Sequence, residues 1–550
     1  MRSVFLLLAC IDGPILVVDS TPPLVEDERT WAHDRPSTGC LIDEDGDGFD
    51  ACEDCDDQDP NRFPGAEEWC DGVDQDCDGA VDDHAMDAVE GWLDLDGDGF
   101  AGPDGVVFVC PETPGVHWEI TDCDDTRTSV FPGALEVCDG LDTDCDGEIE
   151  ETLVPTDYPT IQEALDEGTW IDWICVEPGV YRESLDMPYY DVVLESVGGS
   201  DVTTIQGNRE DSVVTIRRGN SLATELRGFT ITGGFAKPGS GGSVRYGGGL
   251  HVNASAATLE DLHITGNLCR GNERCYGAGL AITDGDVVMT DVRVTGNRST
   301  NCHRAYGGGA WFDHSNVEML GGGFDANEQD GCEWTRGVGL FAWGGDTRLR
   351  NVTFRGNRSS RSPVEGTALG TYSWASMDVE NAVFAGNHAD TDSSIDGVIY
   401  QSTGYLGLRN VSIVGNTGRA GGVECGGIRI DYPDAGVDLR NVDISDNRID
   451  AERYSGGWFC NRYAGRPAID ARFVNVFGND HDDFGDLSDV IGLTNVSPGY
   501  ADLSGEDPRA WDLRLGPDSE LIDAGAPWIH DPDGSRADIG AYGGPGAADW

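Results

Sequence analysis

From about residue 250 onward, apolar and polar positions alternate in short segments that return at a fixed interval. Leu259, Leu262 and Ile264 align with Met289, Val292 and Val294, and then with Leu349, Val352 and Phe354. The series continues as Leu408, Val411 and Ile413, and as Leu439, Val442 and Ile444. Alternation with period two predicts half-buried strands, not helices. An asparagine follows each segment, at 267, 297, 327, 357, 387, 416 and 447, spaced 30, 30, 30, 30, 29 and 31 residues apart. About seventeen residues before each asparagine a glycine-led pair opens a second short strand, as at Gly249-Leu250, Gly279-Leu280, Gly309-Ala310 and Gly339-Leu340. Strands repeating at a fixed interval with no helical period predict a stacked solenoid, with successive coils ~4.8 Å apart.

Stacking turns equal offsets into columns. An asparagine column at a turn can pass side-chain amide bonds from coil to coil and satisfy backbone groups that would otherwise be buried unpaired. A second, partial column runs Asp261, Asp291, Asn351, Asn381, Asn410 and Asn441, with Gly321 as its exception. The repeat resembles the pectate-lyase-like right-handed parallel β-helix over roughly residues 153–490. Tyr158-Pro159-Thr160-Ile161-Gln162-Glu163-Ala164-Leu165 is similar to that superfamily's capping helix, and Cys175-Val176-Glu177-Pro178-Gly179-Val180-Tyr181 to its first-coil turn. The segment from Asp512 to Gly544 resembles the tail that closes bacterial secreted β-helices. Residues 491–550 are therefore expected to cap the last coil, since an open edge invites edge-to-edge association.

The N-terminal region has no such alternation and carries an internal duplication instead. Asp43-Glu44-Asp45-Gly46-Asp47-Gly48-Phe49 recurs 51 residues later as Asp94-Leu95-Asp96-Gly97-Asp98-Gly99-Phe100. Cys55-Asp56-Asp57 recurs 68 residues later as Cys123-Asp124-Asp125, and Asp76-Cys77-Asp78-Gly79 recurs as Asp144-Cys145-Asp146-Gly147. The second copy thus holds a 17-residue insertion after Phe100. Four regions follow: 1–39, a signal- or lipobox-like segment with linker; 40–152, the duplicated Asp/Cys-rich module; 153–490, the β-helix; and 491–550, its cap. The fold class expected is all-β, a right-handed parallel β-helix solenoid with a small calcium-binding N-terminal module.

Charge sharpens this picture. Between Cys40 and Glu151 stand 37 Asp and Glu against Arg62 and Arg127, which is more than half of the chain's net −66. Such a segment repels itself unless a cation neutralises it. With no basic stripe, nucleic acid is excluded as a partner. Seventeen cysteines point to an oxidising compartment. Leu7-Leu8-Ala9-Cys10 resembles a bacterial lipobox, which makes Cys10 a candidate lipid anchor and the protein secreted or cell-surface. No segment approaches the ~20 apolar residues of a transmembrane span.

The duplicated module resembles the MopE-type metal-binding motif and, more loosely, thrombospondin type 3 calcium repeats. Asp43, Asp45 and Asp47 fall at positions 1, 3 and 5 of an EF-hand-like loop, with Gly48 at the turn, the Phe49 carbonyl at position 7 and Asp54 at position 12. In the second copy Asp94, Asp96, Asp98 and Phe100 repeat this, but position 12 is Gly105. Alignment through the cysteines offers Asp122 instead, with residues 101–121 as an excursion. Asp56, Asp57, Asp124 and Asp125 add carboxylates beside each loop. Hard oxygen donors in this number suit Ca2+. The copper associated with the family name has few soft or imidazole ligands here, His84 and His117 standing apart.

In the solenoid, Cys302 and Cys332 share one offset on neighbouring coils and are expected to pair. Cys269 with Cys275 and Cys425 with Cys460 are further candidate disulfides, whereas Cys175 reads as a buried thiol. Trp311 and Phe341 share an outward column with Trp343 nearby, a candidate aromatic shelf for sugar rings or a stack between coils. The superfamily's lyases use a Lys or Arg base, yet the one lysine is Lys237 and the arginines of Arg350, Glu380, Arg409 and Arg440 suit an ion-pair ladder. The expected function is a non-catalytic calcium-binding β-helix protein of the cell exterior that engages a polysaccharide or another envelope component. A polysaccharide lyase or hydrolase, and an extracellular metal buffer, are the alternatives.

Overall fold

The computed structural model describes residues 42–547 apart from 135–137, 139, 148–151, 168–172, 218, 239–243, 272–273, 362, 433–435, 452–458, 462–467 and 481–489. Cys10, Cys40 and the side chain of Lys237 lie outside the described residues. The chain divides into two compact units, Met1–Thr128 and Ser129–Trp550.

The second unit is a parallel β-solenoid of about nine turns. One coil runs through four strands, Ala256–Thr265, Leu268–Arg270, Arg274–Tyr276 and Leu280–Thr283. Stacking these gives parallel sheets of 14, 7, 8 and 10 strands, the eight-stranded one closing on an antiparallel strand. Register follows the sequence interval: Leu259 pairs Met289, then Met319, Leu349, Val379, Leu408 and Leu439. Alternation turns these residues into one interior core, in which Phe324, Phe354 and Phe384 stack with centroids 5.1 and 4.6 Å apart. The helix Ile161–Glu167 adds Ile161, Ala164 and Leu165 to that core, its first N–H groups held by Glu183 at 3.1 and 2.9 Å. Glu183 satisfies donors that a helix start leaves open.

The asparagine column is a continuous amide ladder. Asn357 Nδ2 donates to the Asn387 Oδ1 of the next coil (2.9 Å) and to the Phe324 carbonyl (2.7 Å). Its Oδ1 accepts from the backbone N–H and Nδ2 of Asn327, at 3.0 and 3.2 Å. Every member from Asn267 to Asn447 is buried in this pattern, and Asn479 extends it by one coil. The second column marks a different device. Asp261, Asp291, Gly321, Asn351, Asn381, Asn410 and Asn441 all have left-handed φ, between 44° and 76°. Asn, Asp and Gly tolerate that conformation best, and it bends each long strand midway.

The C-terminal region covers more than an end. Residues around Ile491 and Thr494 pair with the last long strand, at Arg472 and Asn475. The chain then runs back along the flank of the long sheet. Ala526 N–H donates to Asn441 (2.7 Å), Ala541 N–H to Ser412 (3.0 Å), and Arg355 donates to the carbonyls of Arg509 and Trp511 at 3.1 Å. Leu513 and Ala541 pack there on Val383, Ala385 and Val414.

Disulfides join Cys269 to Cys275, Cys302 to Cys332 and Cys425 to Cys460. Cys175 is not a free thiol. It is bonded to Cys138, which ties the end of the duplicated region to the first long-sheet strands (Cα–Cα 5.5 Å). The arginines of the outward column are engaged, Arg350 with Glu380 (3.4 Å), Arg409 with Asp378 (2.8 Å) and Arg440 with Asp470 (2.5 Å).

Two expectations follow. Asn357→Ala strands the Asn327 N–H and the Phe324 carbonyl, and should cost roughly 3 kcal/mol, read as a lower urea midpoint of the solenoid. Asp443 is fully buried beneath Tyr500, Ser445 and Asn475, and burial raises its pKa to about 6 despite their hydrogen bonds. A carboxyl that binds its proton more tightly folded than unfolded stabilises the fold at low pH. That contribution is lost as pH rises from about 4 through about 6. Asp443→Asn should therefore raise Tm relative to the parent at about pH 8 and leave it unchanged at about pH 4.

Candidate metal centre

The first unit has little apolar interior: Ala85 and Ala101 are its buried hydrophobic residues among those described. Its loops are organised by carboxylates that accept from their own backbone. Asp43 Oδ1 accepts from Gly46 N–H (2.5 Å) and Oδ2 from Gly48 N–H (3.2 Å). Asp45 accepts from Asp47 N–H (3.2 Å), Asp47 from Phe49 N–H (3.0 Å) and Asp54 from Asp56 N–H (2.8 Å). Asp57 reaches back to Glu44 N–H at 3.1 Å. Gly46 and Gly48 hold φ of 89° and 107°, which the loop needs to curl its amides inward.

The second copy repeats these bonds one for one. Asp94 accepts from Gly97 and Gly99 (2.7 and 2.9 Å), Asp96 from Asp98 (3.2 Å) and Asp98 from Phe100 (2.9 Å). Asp122 accepts from Asp124 (2.8 Å) and Asp125 from Leu95 (3.0 Å). Asp122 thus stands where Asp54 stands, although the intervening chain is 17 residues longer.

That insertion is not a loose excursion. It supplies β2 (Val106–Val109) and β3 (Val116–His117), both of which pair antiparallel with the preceding strand β1 (Val89–Leu93). Gly105 lies against β1, where an added Cβ would sit 2.3 Å from the Leu93 carbonyl, so this position closes the sheet. Ala101 O then accepts from the N–H groups of Thr121 and Asp122 (3.1 and 3.2 Å) and returns the chain to the loop. Gly102 lets Asp125 approach; a Cβ there would meet the Asp125 Cβ at 2.5 Å.

Asp43 and Asp94 spend both oxygens on amides, whereas seven of the other carboxylates spend one and keep the second. The Oδ2 atoms of Asp45, Asp47 and Asp54, and of Asp96, Asp98, Asp122 and Asp125, are buried with no hydrogen-bond partner. Oxygens of Asp43, Asp45 and Asp47 gather within 4.8 Å of one another. Burial, and then repulsion from Asp47, Asp54 and Asp43, raises the Asp45 pKa. Asp96 is raised by burial and then by Asp98, Asp94 and Asp125, and Asp122 by burial and then by Asp98, Asp96 and Asp125. Asp94 runs the other way: burial opposes its charge, but the N–H groups of Gly97, Gly99 and Asp98, with His117 nearby, outweigh it. Orphaned oxygens in a ring of mutually repelling carboxylates fit a hard cation, and no sulfur competes: every cysteine among the described residues is disulfide-bonded. Cys55 with Cys77 and Cys70 with Cys110 staple this unit.

Not every candidate joins the rings. Asp56 is paired with Arg62 (3.1 Å) and Asp124 with Arg127 (3.2 Å). Phe49 and Phe100 enter the loops through backbone alone, their N–H groups held by Asp47 and Asp98, while the Phe49 ring stacks on Phe63 at 5.5 Å. Trp311 and Phe341 are no exposed shelf, being 3 % and 0 % accessible beneath Tyr276 and Tyr306; Trp343 is half-buried and stacks on Tyr372.

A further loop escaped the sequence comparison. Asp74 accepts from Cys77 and Gly79 N–H (2.8 and 3.2 Å), Asp76 from Asp78 (3.1 Å) and Asp78 from Ala80 (2.8 Å), the bonds of the first loop again. Buried Glu68 is anchored by the N–H groups of Gln75, Asp76 and Asp82. Its oxygens gather with those of Asp74 and Asp76 within 4.8 Å, as do those of Asp76, Asp78 and Asp83. Cys77 stands where the first loop has Gly46, in a left-handed conformation (φ 64°), and hides the match. The D-x-D-x-D-G spacing alone would have revealed it, and would also have revealed Asp142–Gly147, where Asp142 accepts from Gly147 N–H at 2.9 Å.

A family model described as "Putative metal-binding motif", of MopE type, matches residues 54–83 and 122–151. No curated protein matches the chain. The matched segments begin at Asp54 and Asp122, the carboxylates that align across the two copies, and run through the loops at Asp74 and Asp142. The chain therefore carries two copies of a MopE-type metal-binding motif alongside a parallel β-solenoid.

Proposed function

We propose that this is an exported protein that binds Ca2+ in its Asp-rich loops and presents its β-solenoid, without catalysis, to a glycan of the cell envelope. The observation carrying the calcium assignment is the set of buried carboxylate oxygens without partners, recurring at matched positions of the two copies. Six to eight oxygen donors suit Ca2+, whereas Mg2+ keeps more of its water and copper prefers imidazole or sulfur. Asp43, Asp45, Asp47, Asp54 and Asp57 hold one ion with the Phe49 carbonyl. Asp94, Asp96, Asp98, Asp122 and Asp125 hold a second with the Phe100 carbonyl. His84 supports no copper site here, its ring being given to an exposed pair with Asp83 (3.0 Å).

Export is supported by the pairing of all described cysteines, which needs an oxidising compartment. No helix among the described residues is long and apolar enough to cross a membrane. The non-catalytic reading is supported by the column of Arg350, Arg409 and Arg440, each of which is paired with a carboxylate and so a poor base.

Calcium titration calorimetry should show binding that Asp122→Ala weakens at one site, on the order of tenfold or more, with the first copy's site unchanged. Stoichiometric copper binding with no calcium response would overturn the assignment. A depolymerisation screen over acidic and neutral polysaccharides should yield no products; reproducible product formation would refute the non-catalytic role.

A further inference from the structure

Strand alternation on the outer face of the ten-stranded sheet sets up two outward rows that climb from coil to coil. One row passes through Asp186, Thr215, His251, Ala281, Trp311 and Phe341. The other passes through Arg217, Asn253, Thr283, Asp313 and Trp343. Strands of the neighbouring eight-stranded sheet end on Tyr246, Tyr276 and Tyr306, whose rings pack over the first row. A glycine with left-handed φ follows each tyrosine and turns the chain into the next sheet. Between the two sheets lies a corner.

From Tyr276 onward that corner is filled. Tyr276 stacks on Trp311 at 4.5 Å and Trp311 on Phe341 at 5.6 Å, and both row residues are buried. At Tyr246 the filling stops. The ring beneath it is the smaller His251, stacked at 5.3 Å, and the row continues into Thr215 and Asp186. The corner opens there into a groove of about 660 Å3, a volume in the range of small-ligand sites.

The lining has a definite chemistry. Burial, reinforced by Arg217, pushes the His251 pKa down to about 4, so its ring is neutral. Its Nε2 lies 3.4 Å from Thr283 Oγ1, and that hydroxyl donates to Asn253 Oδ1 at 2.9 Å. Asp186 pairs with Arg217 and Asp313 with His314 (2.7 Å), while Asp211 and Asp284 add two further carboxylates. An anionic sugar would meet like charge here, and an apolar ligand would strip water from polar groups without replacing it. Hydroxyl groups can donate to the carboxylates and to Asn253, and the C–H face of a sugar ring can lie on Tyr246.

We propose that this groove binds a neutral oligosaccharide. The proposal rests on the glycan-engaging role argued above and gives it a position and a ligand class. The test is calorimetry of the full-length calcium-loaded protein against cello-, xylo-, manno- and galacto-oligosaccharides, with oligogalacturonate as the anionic arm. At least one neutral series should bind and oligogalacturonate should not. Tyr246→Ala and Asp284→Asn should each weaken that binding on the order of tenfold, as loss of a stacking surface or of a carboxylate acceptor does. Asp284 is exposed in a left-handed turn that asparagine adopts equally well, so that variant keeps the fold intact. Failure of every neutral series, preference for oligogalacturonate, or affinity unchanged in Asp284→Asn would overturn the groove assignment. Retention of the Asp284→Asn protein on insoluble cell-wall polysaccharide at the parent level would sink the groove and leave the broader glycan role standing. Absence of retention by the parent would sink both.

Discussion

The amide ladder from Asn267 to Asn479 is the constraint on which the solenoid depends. A turn buried between coils leaves backbone groups that neither sheet satisfies, and an unmet buried amide costs roughly 1–3 kcal/mol. The asparagine side chain carries a donor and an acceptor in the geometry of a peptide group, so it answers the coil before and the coil after at once. Asn327 and Asn357 show the closure, with both the backbone N–H and Nδ2 of one given to the Oδ1 of the next. Slipping one coil by a single residue would break this ladder and turn every inward side chain outward. The interval of 29 to 32 residues is therefore fixed by bonding at one turn, and each outward row inherits it.

The first unit is built on the opposite principle. With Ala85 and Ala101 as its buried hydrophobic residues among those described, burial of apolar surface there contributes little. Order comes from carboxylate–amide bonds inside each loop and from disulfides that restrict the unfolded chain. The same folding buries and crowds the carboxylates, and burial first, then mutual repulsion, raises the pKa of Asp45, Asp96 and Asp122. The solenoid instead answers its outward acids with arginines from neighbouring coils, at Arg348 with Glu318 and Arg409 with Asp378. Some outward acids of the solenoid are thus met by arginines of neighbouring coils, whereas the loops of the first unit keep carboxylate oxygens buried without a partner.

Much of this was legible in the sequence, because repetition writes stacking directly. The asparagine interval and the strand alternation give the coil and its register, and the shared offset of Cys302 and Cys332 places them side by side. What repetition does not report is which segment covers an outward row. Trp311 and Phe341 do point away from the core, yet the tyrosines that bury them come from strands of another sheet, and their own 30-residue interval does not say which row they cover. The column from Asp261 to Asn441 was visible as a pattern, but its meaning, a left-handed bend, needs dihedral angles. Cys77 in place of a glycine concealed the loop at Asp74. Cys175 pairs with a cysteine 37 residues earlier, a partner no alternation could name.

A regular array presents the same surface at each coil, so chemistry that differs from its neighbours has to arise where regularity fails. The eight-stranded sheet fails at its first member. Val244–Tyr246 pairs on one side with Arg274–Tyr276 in parallel, and on the other with the antiparallel strand Lys237–Pro238 rather than with another coil. One wall of the corner therefore ends at Tyr246, while the ten-stranded floor continues through His251, Thr215 and Asp186. Floor without a filled corner is what creates the groove, and its polar row is possible because no tyrosine of a preceding coil has to pack there. The aromatic stack that removes Trp311 and Phe341 from solvent and the groove that opens beside His251 are thus one structure, distinguished only by the coil at which the overlying strand stops.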